Sequence, residues 1–351
     1  RHVGTLRRCA GWCAAKRWLI PVGDVMMATV STGRFAPSPT GDLHLGNLRT
    51  AVLAWLWARR DRGGFIVRME DLDRVTSRPE FERSQLADLE ALGLDWDGVV
   101  VRQSERFDRY HEVLVDLEAR GLTFECFCTR REIAQAASAP NGPATSGAYP
   151  GTCRNLSEAR RRRLRDEGRP AAIRLRSDHR CTVFVDEVLG ERSGCVDDVV
   201  LRRNDGVPAY NLAVVIDDVA QGIDLVVRGD DLVDTVPTQA LLREVLGAAR
   251  ARFAHVPLVM SERGTRLAKR DGAVTLADRH AIGDSTSAVL WWLLASIGVE
   301  LDRDLAHASP RELMTSALDL FDRDRLPREA LRLTDEFLAR PLPDGDATNR
   351  N

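Results

Sequence analysis

Two short segments, far apart in the chain, carry residues suited to binding phosphate groups. The first is Arg34 to Asn47, which reads Arg-Phe-Ala-Pro-Ser-Pro-Thr-Gly-Asp-Leu-His-Leu-Gly-Asn. Its Pro and Gly residues end a strand, and its last residues open into the apolar run Leu48 to Trp57, which predicts a helix. Such a strand-to-helix junction points free backbone N–H groups and a partly positive helix end at an anion. His44 offers ring nitrogens to a phosphate, and Gly46 has no Cβ to keep a nucleotide away from the backbone.

The second segment is Arg266 to Arg270, which reads Arg-Leu-Ala-Lys-Arg and follows Gly264. A loop with these cations, Lys269 among them, is suited to stabilise the charge on a departing pyrophosphate. Each segment alone has an ordinary alternative, because a His-x-Gly-Asn turn occurs by chance and a basic loop is commonly solvated surface. Together they predict an ATP-binding site with His44 and Lys269 among its contacts.

The elements that must hold these segments alternate between strand and helix patterns. From residue 33 to residue 121 we predict strands at 34–36, 64–69 and 99–102 and helices at 48–60, 79–92 and 107–120. A similar alternation spans residues 201–272. The pattern predicts an α/β fold, a doubly wound parallel nucleotide-binding domain whose first half is 31–121 and whose second half, with the basic loop, is 201–272.

The remaining segments break this alternation. Residues 122–200 read as an insertion, with a low-complexity stretch rich in Ala, Ser, Pro and Gly at 134–147. Beyond residue 272 we predict a short C-terminal helical region at 273–342. It includes Ser309-Pro310-Arg311-Glu312, a capping box with Pro at the first helical position. We expect 1–30 to be a disordered extension and 343–351 to be a tail.

Four motifs in this order resemble the catalytic core of glutamyl-tRNA synthetases, a class I aminoacyl-tRNA synthetase family. They are Arg34 to Gly41, Arg68-Met-Glu70-Asp71-Leu-Asp73-Arg74, Tyr210 to Asp218, and Val227-Arg228-Gly-Asp-Asp231. His44 to Asn47 stands in the family's HIGH position, and Arg266 to Arg270 stands in its KMSKS position with Lys269 kept. The resemblance implies a Rossmann-like class I fold, with ATP and Mg²⁺ as substrate bound by His44, Gly46, Asn47 and Lys269.

The same resemblance implies a glutamate pocket. Glutamate carries two carboxylates and one ammonium, so a selective pocket needs two cations and one anion. Arg34 and Arg228 can each grip a carboxylate in a bidentate fork, and the resemblance favours Arg228 for the side-chain carboxylate. Glu70 would accept from the ammonium, while Ser38 and Tyr210 add hydroxyl contacts. The alternative is that Arg34 and Glu70 merely pair with each other across strand ends.

Cysteines in the insertion predict a metal site. Cys126-Phe-Cys128 and Tyr149-Pro-Gly-Thr-Cys153 supply three thiols and a phenol. Truncated relatives of glutamyl-tRNA synthetase carry a Cys-x-Cys…Tyr-x₃-Cys zinc knot in this insertion, which implies one structural zinc per chain with Tyr149 as the fourth ligand. Three free buried thiols are the alternative. Cys181 and Cys195 look like ordinary core or surface positions, and the seven cysteines suggest no disulfide framework.

Composition limits the partners. The 351 residues carry a formal net charge of −2, so any contact with RNA must depend on a local patch. Arg160 to Arg165, in a helix predicted near 157–167, is either such a patch or an ordinary solvated helix face. The longest apolar run, Ala288 to Val299, is far shorter than the ~20 residues of a bilayer span. We expect a monomeric cytoplasmic protein with no membrane partner.

The expected activity follows from the truncated relatives. About 80 residues follow Arg270, too few for the stem-contacting region and the anticodon-binding domain of ordinary members. The resemblance therefore implies tRNA-independent activation of glutamate with ATP and transfer of glutamate to queuosine in the anticodon loop of tRNA(Asp). Two alternatives stay open: the catalytic core of a glutamyl-tRNA synthetase that charges tRNA(Glu), and a non-catalytic paralogue that binds glutamate, ATP or RNA.

Overall fold

A computed structural model describes residues 31–137, 149–262, 264 and 274–342. The strands are β1 (Gly33–Phe35), β2 (Phe65–Met69), β3 (Val101–Arg102), β4 (Thr123–Cys126), β5 (Ala172–Leu175), β6 (Cys181–Asp186), β7 (Gly190–Cys195), β8 (Val200–Arg202), β9 (Leu225–Gly229), β10 (Arg252–Val256), β11 (Val259–Ser261) and β12 (Leu331–Leu333). The helices are α1 (Leu45–Arg60), α2 (Pro79–Ala91), α3 (Phe107–Ala119), α4 (Arg130–Ala137), α5 (Glu158–Asp166), α6 (Tyr210–Ala220), α7 (Val236–Val245), α8 (Leu276–Ala281), α9 (Thr286–Ala295), α10 (Pro310–Leu320) and α11 (Asp335–Ala339).

Seven strands form the main sheet in the order β3-β2-β1-β9-β10-β6-β7. Every pairing is parallel except that of β6 with β7. The chain passes from β1 outward to β2 and β3, and it later places β9 and β10 on the other side of β1. The strand order therefore reverses between β1 and β9, and open α/β sheets bind ligands at the carboxyl ends of the strands beside such a reversal. The predicted α/β class with a parallel sheet is confirmed.

Helix α1 is buried on nearly all sides. Its buried residues include the unbroken run Ala51 to Ala58, which explains why the sequence there is apolar at consecutive positions rather than on one stripe. The helix packs against β1 and β9 on one side and against α9 and α10 on the other. The Trp57 and Phe321 rings meet edge to face with centroids 6.0 Å apart. This core fixes the first turn of α1, and with it the residues just before the helix, relative to the sheet.

The range 122–200 contributes to two sheets. Strands β4, β5 and β8 form a separate antiparallel sheet, whereas β6 and β7 extend the main sheet. The β6–β7 hairpin places Cys181 opposite Cys195, and a disulfide joins the two residues. Our expectation that these cysteines are unpaired ordinary positions is therefore wrong. They are 14 residues apart, and only the hairpin register makes them neighbours.

Helix boundaries follow the local signals closely. Gly93 and Gly121, each with positive φ, follow the ends of α2 and α3, where the left-handed conformation that ends a helix favours glycine. Helix α10 begins with the predicted capping box, in which Ser309 Oγ accepts from the Glu312 N–H and the Glu312 side chain accepts from the Ser309 N–H. Helix α1 starts three residues before the predicted Leu48 because His44 is its cap. Across the residues that the structure describes, no helix has the length and apolar character to cross a bilayer.

Candidate active site

His44 is the N-cap of α1 and uses one ring nitrogen for that purpose. Its Nδ1 accepts hydrogen bonds from the backbone N–H groups of Gly46 at 3.1 Å and Asn47 at 3.3 Å. The Asn47 side chain in turn accepts from the His44 backbone N–H at 3.2 Å. Because Nδ1 accepts, the neutral ring carries its hydrogen on Nε2. A contact from this ring to a phosphate oxygen must therefore be a hydrogen bond donated by Nε2.

Gly46 is required by the histidine itself. A Cβ at this position would lie 3.0 Å from both Cε1 and Nδ1 of His44. Any larger residue would push the ring away from the helix end that it caps. The sequence suggests that glycine leaves space for a nucleotide; the structure adds that glycine lets His44 fold back on its own helix.

Both sides of the basic segment 266–270 lie beside the His44 turn. Val274 accepts a hydrogen bond from the Leu45 N–H at 2.9 Å, and Thr275 forms a β-bridge with His44. On the other side, the Cβ of Val259 would lie 3.4 Å from a Cβ at position 46. Residues Arg266 to Arg270, including Lys269, lie outside the described residues. The described chain on each side nevertheless converges on the turn that the sequence assigns to ATP.

Arg34 and Arg228 lie on the two strands that flank the reversal of strand order. Arg34 is in β1 and Arg228 is in β9, and both side chains are buried. Tyr210, the first residue of α6, has its hydroxyl 3.4 Å from Arg228 Nη1. Glu70 directly follows β2, and its carboxylate interacts with Arg34, Arg68 and Asp218. Four of the five predicted glutamate-binding residues thus gather at one end of the sheet.

Arg34 and Glu70 are joined through other residues. Arg68, completely buried in β2, donates from Nη1 to Asp218 Oδ1 at 2.8 Å and from Nη2 to Glu70 Oε1 at 3.4 Å. Arg34 Nε lies 3.4 Å from the same Asp218 oxygen. The alternative that Arg34 and Glu70 simply pair with each other does not describe this arrangement, because each has a nearer partner in the Asp218–Arg68 pair.

Burial and charge act in opposite directions on this cluster. Burial raises the pKa of Glu70 above its ordinary value, against the opposing effect of Arg68 and Arg34. Burial alone would also raise the pKa of Asp218, but the two arginines outweigh it and hold that pKa below the ordinary value. Asp218 is therefore a firmly ionised anchor, whereas the charge on Glu70 is disfavoured until a cation such as an ammonium lies beside it.

Arg228 is held by protein groups along its whole guanidinium. It donates from Nε to His255 Nε2 at 3.0 Å, from Nη1 to Gln239 Oε1 at 3.0 Å, and from Nη2 to Thr235 Oγ1 at 2.8 Å and the Leu232 carbonyl at 3.2 Å. Burial lowers the pKa of Arg228. By contrast, the bonds that Arg34 donates to Asp218 and to the Val227 carbonyl are long, at 3.4 and 3.5 Å.

Ser38 directly follows Pro37, whose carbonyl accepts from the Glu70 N–H at 2.9 Å. It is exposed in the loop after β1, and its carbonyl accepts from Gln85 Nε2 at 3.1 Å. Sequence reasoning missed the supporting residues Arg68, Asp186, Asp218, Gln239 and His255. Arg68 and Asp218 stand inside the motifs that identify the family, so their position was a usable signal. Asp186, Gln239 and His255 carry no comparable local signature.

Three thiols and a phenol meet in the insertion. The Sγ atoms of Cys126, Cys128 and Cys153 all lie within 4.8 Å of one another. The Tyr149 hydroxyl lies 3.4 Å from Cys126 Sγ and accepts from the Cys153 N–H at 2.8 Å. A tetrahedral ion with sulfur ligands at about 2.3 Å separates those sulfurs by about 3.8 Å, so this donor set fits a metal such as zinc. Hydrogen bonds within the cluster lower the pKa of the Cys126 thiol and raise the pKa of the Cys128 thiol.

The arginine-rich helix α5 is largely neutralised within the protein. Arg161 pairs with Glu158 at 2.9 Å, Arg163 with Glu167 at 2.9 Å, and Arg165 with Glu125 at 2.5 Å. Leu164 is buried and attaches the helix to the insertion. The positive field of this segment is therefore weaker than its sequence suggests, because three of its arginines have carboxylate partners.

Comparisons with known proteins identify the class to which this site belongs. Residues 29–317 match the family described as tRNA synthetases class I (E and Q), catalytic domain. The chain belongs to this family and is an aminoacyl-tRNA synthetase-like ligase. A structure titled as a glutamate tRNA ligase from Elizabethkingia meningosepticum in complex with its amino acid is similar, with a TM-score of 0.73 and 28% identity. That similarity covers 88% of this chain and 68% of the other.

More particular similarity is found among curated proteins. The Glutamyl-Q tRNA(Asp) synthetase of Nocardia farcinica is 56% identical over 321 residues, which cover 91% of this chain and 99% of that protein. The protein of the same name from Symbiobacterium thermophilum is 44% identical and covers 88% of this chain. A Glutamate--tRNA ligase from a Synechococcus strain is 40% identical over 300 residues, which cover 62% of its own length.

Proposed function

We propose that this protein activates glutamate with ATP, without tRNA, and transfers the glutamyl group to queuosine in the anticodon loop of tRNA(Asp). The observation that carries the glutamate assignment is the gathering of Arg34, Glu70, Tyr210 and Arg228 beside the reversal of strand order. Two cations and one anion match two carboxylates and one ammonium. The acceptor is supported by the similar proteins from Nocardia farcinica and Symbiobacterium thermophilum, each of which is named a Glutamyl-Q tRNA(Asp) synthetase.

The orientation of glutamate follows from the contacts of the two arginines. Arg228 is assigned the side-chain carboxylate, because a fixed cation favours a carboxylate over an amide. The carboxylate would replace the longest contact of the guanidinium, the one to the Tyr210 hydroxyl at 3.4 Å. Arg34 binds the α-carboxylate and Glu70 the ammonium. A cation beside Glu70 offsets the cost of burying that carboxylate. Ser38 supplies a hydroxyl from the loop after β1.

The first reaction is attack by an α-carboxylate oxygen of glutamate on the α-phosphorus of ATP. A carboxylate oxygen–phosphorus bond forms, the bond from the α-phosphorus to the bridging oxygen breaks, and pyrophosphate leaves with that electron pair. His44 Nε2 donates to a phosphate oxygen, Gly46 and Asn47 form the turn that receives the nucleotide, and Lys269 stabilises the departing charge. Mg²⁺, bound mainly by phosphate oxygens and water, would neutralise the phosphates.

The second reaction transfers the glutamyl group. A hydroxyl of the cyclopentenediol of queuosine attacks the carbonyl carbon of the adenylate and releases its proton to water; an ester bond forms, the bond from that carbon to the phosphate oxygen breaks, and AMP leaves with the electron pair. A vicinal diol resembles the 2′,3′ diol at a tRNA end, so the same site can serve either acceptor. The two acceptors must therefore be distinguished by testing different tRNAs.

The decisive experiment compares tRNA(Asp) from ordinary cells with tRNA(Asp) from cells unable to make queuosine. We expect labelled glutamate to be esterified only to the first, and the product to be labile in alkali. Glutamate-dependent ATP–pyrophosphate exchange should proceed without any tRNA. Equal labelling of both tRNAs, or charging of tRNA(Glu) at its 3′ end, would instead support the catalytic core of a glutamyl-tRNA synthetase, which the 40% identity to a Glutamate--tRNA ligase makes the second candidate.

Zinc is the ion we propose for the cluster of Cys126, Cys128, Tyr149 and Cys153. Thiolates in tetrahedral spacing favour zinc among common divalent ions, and a closed set of four protein ligands indicates a structural site. The Phe127 N–H donates to Cys153 Sγ at 3.4 Å, a bond that stabilises a metal-bound sulfur. Metal analysis should give one zinc per chain; well under one, with activity intact, would exclude the assignment.

A further inference from the structure

A buried aspartate and histidine lie directly behind Arg228. His255, in β10, is completely buried, and Arg228 Nε donates to its Nε2 at 3.0 Å. On the other side, Asp186 Oδ2 lies 2.6 Å from His255 Nδ1. Asp186, at the end of β6, is itself 2% exposed. The three residues form a line from the hairpin strand to the guanidinium.

The direction of each hydrogen bond in this line is fixed. An arginine Nε–H can only donate, so His255 Nε2 must accept. The hydrogen of the neutral ring is therefore on Nδ1, which donates to Asp186 Oδ2. The other oxygen of Asp186 accepts from the backbone N–H groups of Val188 and Leu189 at 3.0 Å and of His255 at 3.2 Å. Those three donors determine which way the carboxylate faces.

We infer that Asp186 and His255 are positioning residues that hold Arg228 in the orientation needed to distinguish the side-chain carboxylate of glutamate from the amide of glutamine. The inference rests on the proposed function, in which Arg228 binds that carboxylate. Both residues are buried behind the guanidinium, so they would act on substrate through Arg228. Asp186 selects the tautomer of His255, and His255 holds the Nε side of the guanidinium, while Gln239, Thr235 and the Leu232 carbonyl hold its other two nitrogens.

The strongest test is Asp186→Asn, because it keeps the shape and reverses one hydrogen bond. Three backbone N–H groups require an oxygen at the Oδ1 position, so the introduced NH₂ must face His255 Nδ1. Nδ1 then accepts, the ring hydrogen moves to Nε2, and that hydrogen opposes the Nε–H of Arg228. We expect the KM for glutamate to rise about 10-fold or more, with the KM for ATP unchanged. The ratio of kcat/KM for glutamate to kcat/KM for glutamine should fall by a similar factor.

Two substitutions of His255 separate positioning from folding. His255→Gln can present a carbonyl oxygen near the Nε2 position and so keep an acceptor for Arg228. His255→Asn can reach Asp186 but is too short to reach Arg228. We expect the KM for glutamate of His255→Gln to stay within about 3-fold of that of the unmodified protein. In His255→Asn the KM for glutamate should rise as it does in Asp186→Asn. Asp116→Asn, in an exposed pair with Arg120, is the matched control and should change neither constant.

The outcomes distinguish this inference from the proposed function. Absence of glutamate-dependent exchange in the unmodified protein would overturn the proposed function, and the inference with it. The inference alone would be overturned by a different pair of results. Arg228→Lys would impair glutamate-dependent exchange, but Asp186→Asn would leave the KM for glutamate and the selectivity for glutamate over glutamine unchanged. Equal losses for glutamate and glutamine, or for glutamate and ATP, would show that Asp186 supports only the fold and would also overturn it.

Discussion

Replacing Glu70 with glutamine should weaken glutamate binding without weakening the fold. The carboxylate is buried, its side chain is 10% exposed, and its contact with Arg68 is long, at 3.4 Å. Burial raises the pKa of Glu70, so the folded protein disfavours the charge that the substrate ammonium would favour. Glu70→Gln removes that charge and keeps the shape.

The magnitude follows from the partners that remain. A hydrogen bond between charged groups contributes about 1.5–3 kcal/mol, so the KM for glutamate should rise roughly 10- to 100-fold. Arg68 keeps its bonds to Asp218 at 2.8 Å and Gln221 at 2.7 Å. The free energy of unfolding should therefore stay within about 1 kcal/mol or rise slightly, because the disfavoured charge is gone.

The assay is ATP–pyrophosphate exchange at varied glutamate, together with thermal unfolding of the protein without substrate. Glutarate, which has both carboxylates and no ammonium, is the matched inhibitor. Its inhibition constant should be nearly the same in Glu70→Gln and the unmodified protein. Glu112→Gln, in an exposed pair with Arg109, serves as the control. An unchanged KM for glutamate, or an equal loss of glutarate and glutamate binding, would refute the assignment of Glu70 to the ammonium.

Four further results are expected. Lys269→Ala should raise the activation free energy of adenylate formation by ~3 kcal/mol while leaving the KM for glutamate nearly unchanged. An equal impairment of adenylate formation and glutamate binding would indicate a disturbed fold. Tyr110→Phe removes the 2.7 Å bond to buried Asp217 and should lower the free energy of unfolding by about 1–3 kcal/mol in denaturant titrations; an unchanged free energy would show that Gln103 and Arg106 suffice for that carboxylate. Cys153→Ser should reduce bound zinc and lower Tm, and a chelator should do the same to the unmodified protein but not to the variant. Burial lowers the pKa of His255, so its stabilising contribution is present above about pH 6.5 and is lost as the pH falls through the lowered value; His255→Gln should flatten that part of the stability profile.

Local signals in the sequence account for much of the fold. Some helix boundaries depend only on residues within one or two turns of each other. Examples are the helix ends at Gly93 and Gly121, the capping box at Ser309, and the strand end and helix start around His44. Backbone conformation and capping are short-range effects, so they can be read from neighbouring residues. The alternation of strands and helices predicts an α/β fold with a parallel sheet. It does not predict the order of the strands in that sheet.

The sequence by itself determined which residues we propose for the site: two arginines and a carboxylate for glutamate, His44 and Lys269 for ATP, and the thiols and phenol of the insertion for a metal. Only the tertiary structure decided what supports them. Asp186 reaches His255 across 69 residues, as the parallel pairing of β6 with β10 requires. The Cys181–Cys195 disulfide depends on hairpin register, and the Arg165–Glu125 pair joins residues 40 positions apart. Contacts between distant residues depend on strand order and register, which are set by burial of the whole core and leave no local pattern at either partner.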